Sequence, residues 1–129
     1  MRLLLDTHTF LWALVAPERL SGTTAGLIRD ARNVVLVSAA SAWEISTKQR
    51  LGKLPSAAPI VAAYGAHLTR LRAEELLIRS AHALLAGGFM VDHRDPFDRM
   101  LAAQAILEGV PLLTDDSAFS AFADLETIW

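Results

Sequence analysis

Apolar positions along the chain come in short runs of two kinds. Leu3, Leu4 and Leu5 form a continuous apolar stretch ending at Asp6, and Val34 to Val37 form a second, rich in β-branched residues. A third runs from Val110 to Leu113 and ends at Thr114, Asp115 and Asp116. Hydrophobicity that is continuous over so few residues predicts strands covered on both faces, as in a parallel sheet. Leu76 to Ile78 is a weaker strand candidate, and Thr127 to Trp129 a last edge strand.

Helical spacing fills the intervals. Thr9 to Ala16 is one helix, stopped by Pro17, and Ser21 is the expected N-cap of another reaching about Arg32. Ser38 or Ser41 opens a third, which stops at Gly52. Ile60 to Leu71 and Ser80 to Leu85 carry further helices, the second ended by Gly87 and Gly88. The sharpest boundaries are Asp95 as N-cap, Pro96 as first helical residue and Gly109 as terminator. Strands alternating with helices imply an α/β fold, a central parallel sheet flanked by helices in three α/β/α layers.

Composition narrows the field. At 129 residues the chain is expected to form a single domain, residues 1–129. It is 53% hydrophobic with mean hydropathy +0.34, yet no run approaches the roughly 18 apolar residues of a membrane span. Met1 and Arg2 lead straight into strand-like sequence, so no signal peptide and a cytoplasmic location are expected. With no cysteine, thiolate metal sites are excluded, while a hard cation held by oxygen stays open. The net charge of −2 does not announce a nucleic-acid binder. Basic residues do cluster, as Lys48, Arg50 and Lys53 and as Arg70, Arg72 and Arg79, although solvated helix faces are the ordinary explanation of such clusters.

Ligands of an open parallel sheet bind beyond the carboxyl ends of its strands, and acids recur there. Asp6 ends the first strand, and Asp115 and Asp116 follow the Val110–Leu113 strand. Glu44, about two turns into its helix, and Asp98, in the first turn of the helix after Asp95, can reach the same edge. Unpaired carboxylates in one pocket raise one another's pKa, and a divalent cation removes that cost. Each acid also has an ordinary explanation. Asp6 and Asp116 can cap helices, Glu44 can pair with Lys48 four residues on, and Asp98 complements a helix dipole. Against the last, Asp98 shares a helix face with Leu101, Ala102 and Ala105, which should point inward.

The segments LLLDTHTFLWAL from Leu3, VSAASAWEISTKQRLGKL from Val37 and HRDPFDRMLAAQAILEGVPLLTDDSAF from His93, with terminal Trp129, resemble the PIN-domain family and within it the VapC-like toxins of type II toxin–antitoxin systems. The resemblance covers much of the chain, in the family's order and spacing. It implies a Mg²⁺- or Mn²⁺-dependent endoribonuclease, a cognate VapB-like antitoxin that occludes the site, and a homodimer. It places Asp6, Glu44, Asp98 and Asp116 as catalytic metal ligands. Thr114 is to hold a metal-bound water or a carboxylate. Arg99 is to orient a carboxylate or contact phosphate, or, as a first-turn helix residue, to play a structural role. Asp95 is read as the N-cap. Asp115 is an extra acid that could replace Asp116 as fourth ligand, and Asp92 stands where relatives often carry another histidine.

On this reading one or two ions activate water for attack on an RNA phosphodiester, leaving a 5′-phosphate and a 3′-hydroxyl. Lys48, Arg50 and Lys53 are candidate RNA backbone contacts. His8 and His93 lie near the expected site in structural or substrate-contact roles, while His67 and His82 look ordinary. Trp12, Trp43 and Phe97 are expected in the core rather than as base-stacking platforms. Two rivals stand beside this reading. An aspartyl phosphatase would want a second acid two residues after Asp6, where the chain has His8. A PIN-like module could bind RNA or a partner without cutting it.

Overall fold

The computed structural model describes all 129 residues. Its strands are β1 (Arg2–Leu5), β2 (Val34–Ser38), β3 (Ala73–Leu76), β4 (Leu112–Leu113) and β5 (Thr127–Ile128). All pairings are parallel, in the order β3-β2-β1-β4-β5. The helices are α1 (Thr7–Val15), α2 (Gly22–Arg29), α3 (Ala39–Arg50), α4 (Ala58–Ala62), α5 (Tyr64–Arg70), α6 (Ser80–Gly88) and α7 (Pro96–Glu108). Short 3₁₀ turns cover Pro17–Arg19, Pro55–Ala57 and Ser117–Ala121.

Side chains alternate across each strand, so the continuous apolar runs feed two cores. Leu3, Leu5, Val35, Val37 and Leu113 pack with Phe10, Leu14, Ile28, Ile45 and Ile60. Leu4, Leu36, Leu76 and Leu112 face the other way, onto Leu101, Ala102 and Ala105 of α7 and onto Phe119 and Phe122. This is the expected three-layer arrangement.

Several boundaries differ from expectation. The helix expected over Ile60–Leu71 is two, because Ala63 leaves helical geometry at φ −135° and ψ 44°. β3 lies three residues earlier than the apolar triplet Leu76–Ile78. Its register pairs Val35–Ser38 with Ala73–Leu76, which leaves Leu77 and Ile78 exposed beyond the sheet. The helix after Ser21 ends at Arg29, where Asp30 and Asn33 close a backbone turn. Asp6 caps α1, so that helix begins at Thr7 rather than Thr9. Asp95 caps α7 as expected, its carboxylate accepting the Phe97 and Asp98 N–H groups at 2.8 and 3.2 Å, and Gly109 ends it at φ 65°.

Candidate metal centre

The carboxyl ends of β1 and β4 lie side by side, and the residues just past them are buried. Asp6 leaves β1 and turns the chain into α1. Its Oδ1 accepts the Thr9 N–H at 2.7 Å, and its Oδ2 accepts the Thr114 hydroxyl. The same Thr114 oxygen accepts the Asp116 N–H at 3.0 Å. One hydroxyl therefore fixes the first-strand acid relative to the acid after β4. Thr9 ties α1 down again by donating its hydroxyl to the Leu113 carbonyl at 2.9 Å. Thr7 and Ser41 share a hydrogen bond of 3.0 Å that links α1 to α3.

Glu44 comes from the second turn of α3, a helix opened by Ser38, whose hydroxyl accepts the Ala40 N–H at 3.0 Å. Glu44 is buried. Its Oε2 accepts the Lys48 ammonium at 2.5 Å, and its Oε1 has no partner. Asp98 comes from the first turn of α7, and its Oδ2 lies 2.9 Å from His93 Nε2.

These side chains meet. Asp6, Thr7, His8, Glu44, Lys48, Asp95, Asp98 and Asp116 line one cleft of about 100 Å³ with no hydrophobic residue on its wall. Asp116 is on that wall and Asp115 is not. Asp116 also accepts the Ala118 N–H at 2.9 Å as the cap of the following 3₁₀ turn. For Asp6, Glu44 and Asp116, the capping or ion-pair role and the cleft position coexist.

The electrostatics follow from this crowding. Burial raises the Asp6 carboxyl above its ordinary value, although the Thr114 and Thr9 hydrogen bonds oppose it. Burial, then the Asp95 charge, and more weakly Glu44, push Asp98 up to about 6 against the opposing His93 hydrogen bond. For Lys48, burial acts downward, but the Glu44 hydrogen bond and the fields of Glu44, Asp95 and Asp98 outweigh it and the ammonium is held above its usual range. Such an anionic pocket favours any cation that enters it.

An all-oxygen donor set and the orphaned Glu44 Oε1 fit a hard divalent ion. Direct ligation is not preformed, since no three acidic or histidine side chains are placed for one ion to touch them all. Each carboxylate is turned instead to a protein partner: Asp6 to Thr9 and Thr114, Glu44 to Lys48, and Asp98 to His93.

The structure also places four other groups of residues singled out in the sequence. Arg99 touches no carboxylate. Its guanidinium donates to the carbonyls of Ala86, Gly87, Phe89, Val91 and His93, at 2.7 to 3.4 Å, and so ties down the segment that carries His93. Lys48 is inside the cleft, whereas Arg50 and Lys53 are exposed. Trp43, Trp12 and Phe97 are not core residues. Trp43 is 62% exposed and meets Phe97 edge-on at 4.8 Å, while Trp12 packs on Trp129 at 5.9 Å beneath Arg19. His82 is less ordinary than expected: it is buried, accepts the Arg79 N–H at 3.0 Å and faces Glu108 at 3.1 Å.

Asp95, expected as the N-cap of α7, lines the cleft as well, and neither Thr7 nor the inward position of Lys48 is anticipated by the sequence reading. The signal for Lys48 was present in its four-residue spacing from Glu44. The Thr7–Ser41 bond has no local signature.

Three comparisons bear on this geometry. The PIN domain family model matches residues 3–125. Over 59 residues the chain is 41% identical to Ribonuclease VapC16 of Mycobacterium tuberculosis (strain ATCC 25618 / H37Rv), a stretch that is 46% of this chain and 42% of that relative. The fold is similar, with TM-score 0.63 and 15% identity over 99% of this chain and 98% of the other, to a chain in the crystal structure of VapBC2 from Rickettsia felis bound to a DNA fragment from their promoter.

Proposed function

Since this chain belongs to the PIN domain family, we propose that it is a divalent-metal-dependent endoribonuclease of the VapC toxin type. The observation that carries the reading is the cleft itself. Acids from four separate segments, Asp6, Glu44, Asp98 and Asp116, share one pocket at the carboxyl edge of the sheet that no hydrophobic residue lines. Two of them, Asp6 and Asp98, have a pKa held above its ordinary value, and a third keeps an unpartnered buried oxygen.

Those four acids are the proposed holders of Mg²⁺ or Mn²⁺. A bound ion supplies charge neutralisation on a phosphodiester and a water acidic enough to attack it. The chain's own residues do the positioning. Thr114 keeps Asp6 and Asp116 at a fixed separation, and Asp95 anchors the first turn of α7 so that Asp98 faces the cleft. Binding requires the carboxylates to exchange a protein partner for the ion, or to reach it through water. Arg50, at the end of α3, and Lys53, just past it, lie exposed, where they can meet RNA phosphates. The proposed products carry a 5′-phosphate and a 3′-hydroxyl.

The similarity to a ribonuclease VapC and to a VapBC complex supports a VapB-like antitoxin as partner. A homodimer is part of the same reading, and exposed Trp43, Leu77 and Leu84 offer apolar surface for it. No helix is long and apolar enough to cross a membrane.

One observation favours the rival reading of a binding module that does not cut: no three ligands are preassembled. The two readings part when purified protein, free of any antitoxin, is incubated with total RNA and Mn²⁺. A nuclease yields discrete fragments that EDTA abolishes. A binding module retains RNA uncut in both conditions.

A further inference from the structure

We infer that Lys48 is the built-in counter-ion of the cleft when no metal is bound, and that it competes with the divalent cation for Glu44. The inference rests on the metal-binding reading above.

The four-residue spacing puts Glu44 and Lys48 on one face of α3, with the acid nearer the helix N-terminus, the favourable orientation. Most such pairs are solvated and contribute little. This one differs because the Glu44 side chain is only 4% exposed and Lys48 only 28%. A carboxylate that deep needs a cation. Lys48 is the one lysine or arginine on a wall that also carries Asp6, Asp95, Asp98 and Asp116. Its Nζ reaches Glu44 Oε2 at 2.5 Å, and Oε1 is left without a partner. The ammonium therefore meets only part of what Glu44 can bind.

A divalent ion on Glu44 would stand within a few ångströms of that ammonium, and the two repel. With the ammonium in place, no three ligands are arranged for one ion. On this inference metal loading displaces Lys48, whose flexible four-carbon stem lets the ammonium move while staying beside the cleft. The displaced ammonium is free for a phosphate of the substrate, so the occupancy of the metal site decides whether Lys48 can serve RNA.

The test is calorimetric titration of the whole chain with Mn²⁺ alone, without RNA. Lys48→Met, which keeps the stem and removes the charge, is expected to bind Mn²⁺ about tenfold more tightly or better. Lys48→Arg should bind close to wild type. Lys53→Met removes the same charge outside the cleft and should leave affinity unchanged. In EDTA, Lys48→Met should melt below wild type, and Mn²⁺ should raise its Tm by more. Equal or weaker Mn²⁺ binding by folded Lys48→Met overturns the inference and leaves the metal reading standing. Wild type that binds no Mn²⁺ at all overturns both. Should Lys48→Met not fold, NMR of the Lys48 side chain in wild type decides. Displacement of its resonances by Mg²⁺ supports competition, and resonances unmoved at saturating Mg²⁺ contradict it.

Discussion

The Thr114 hydroxyl donates to the buried carboxylate of Asp6, joining residues 108 positions apart at the ends of two adjacent strands. Because the same oxygen accepts the Asp116 N–H, Thr114 is a structural hinge-pin for two of the proposed metal ligands. Thr114→Val preserves shape and removes both bonds. A hydrogen bond to a charged group contributes about 1.5–3 kcal/mol, so the variant should lose about 2 kcal/mol in urea unfolding. It should also bind Mn²⁺ more weakly. Unchanged stability would show that the bond is not formed in solution.

Asp6→Asn separates two roles of one side chain. Asparagine caps helices as well as aspartate, so α1 should keep its start at Thr7. The substitution removes a buried carboxylate that burial holds above its ordinary value, so the metal-free fold should be no less stable. RNA cleavage should fall to background. Circular dichroism and a cleavage assay on the same preparation check both halves.

Asp98, raised from 3.8 to about 6 by burial and by Asp95, makes the metal-free protein sensitive to pH. Well below pH 3.8 the group is protonated in both the folded and unfolded chain and contributes nothing. As pH rises toward 6 the unfolded chain releases the proton while the folded chain retains it, and stability falls. The loss levels off above 6 and amounts to at most about 3 kcal/mol on the whole shift. Unfolding in EDTA at pH 4 and pH 7 should show wild type losing this increment relative to Asp98→Asn. Mn²⁺ affinity should run oppositely, strengthening as pH rises through about 6, because the ion must displace the proton.

Arg99 satisfies carbonyls from Ala86 to His93, a task that needs the planar fork of a guanidinium. Both Arg99→Lys and Arg99→Met should loosen that segment, and the methionine variant should cost about 2–3 kcal/mol through unsatisfied carbonyls. Limited proteolysis should then cut near Arg94, where wild type resists. With His93 no longer held at 2.9 Å from Asp98, cleavage activity should also drop. Wild-type proteolytic resistance in both variants would contradict the role.

What could be read from sequence here depended on how local the cause was. The start and end of α7 were legible because Asp95, Pro96 and Gly109 act within a few residues of their own positions. The core strands were legible because the Leu3–Leu5 and Val34–Val37 runs admit no exposed face. β3 was misplaced since Leu77 and Ile78 are the more apolar, while the register with β2 is a tertiary choice. The break at Ala63 carries neither proline nor glycine to announce it. In the cleft, acids after strands gave the positions of Asp6 and Asp116, and helical periodicity turned Asp98 inward. The Thr114 bond to Asp6 and the attachment of Arg99 to carbonyls rather than carboxylates depend on contacts between distant segments. The exposure of Trp43 likewise follows from the packing of α3, which its apolar neighbours did not reveal.

The most direct test of the account is the chemistry of the RNA ends left by the wild-type protein with Mn²⁺, read beside EDTA and Asp98→Ala controls. The expected result is discrete cuts bearing 5′-phosphate and 3′-hydroxyl ends, absent in both controls. Fragments ending in 2′,3′-cyclic phosphate, or cutting that survives both EDTA and Asp98→Ala, would contradict it.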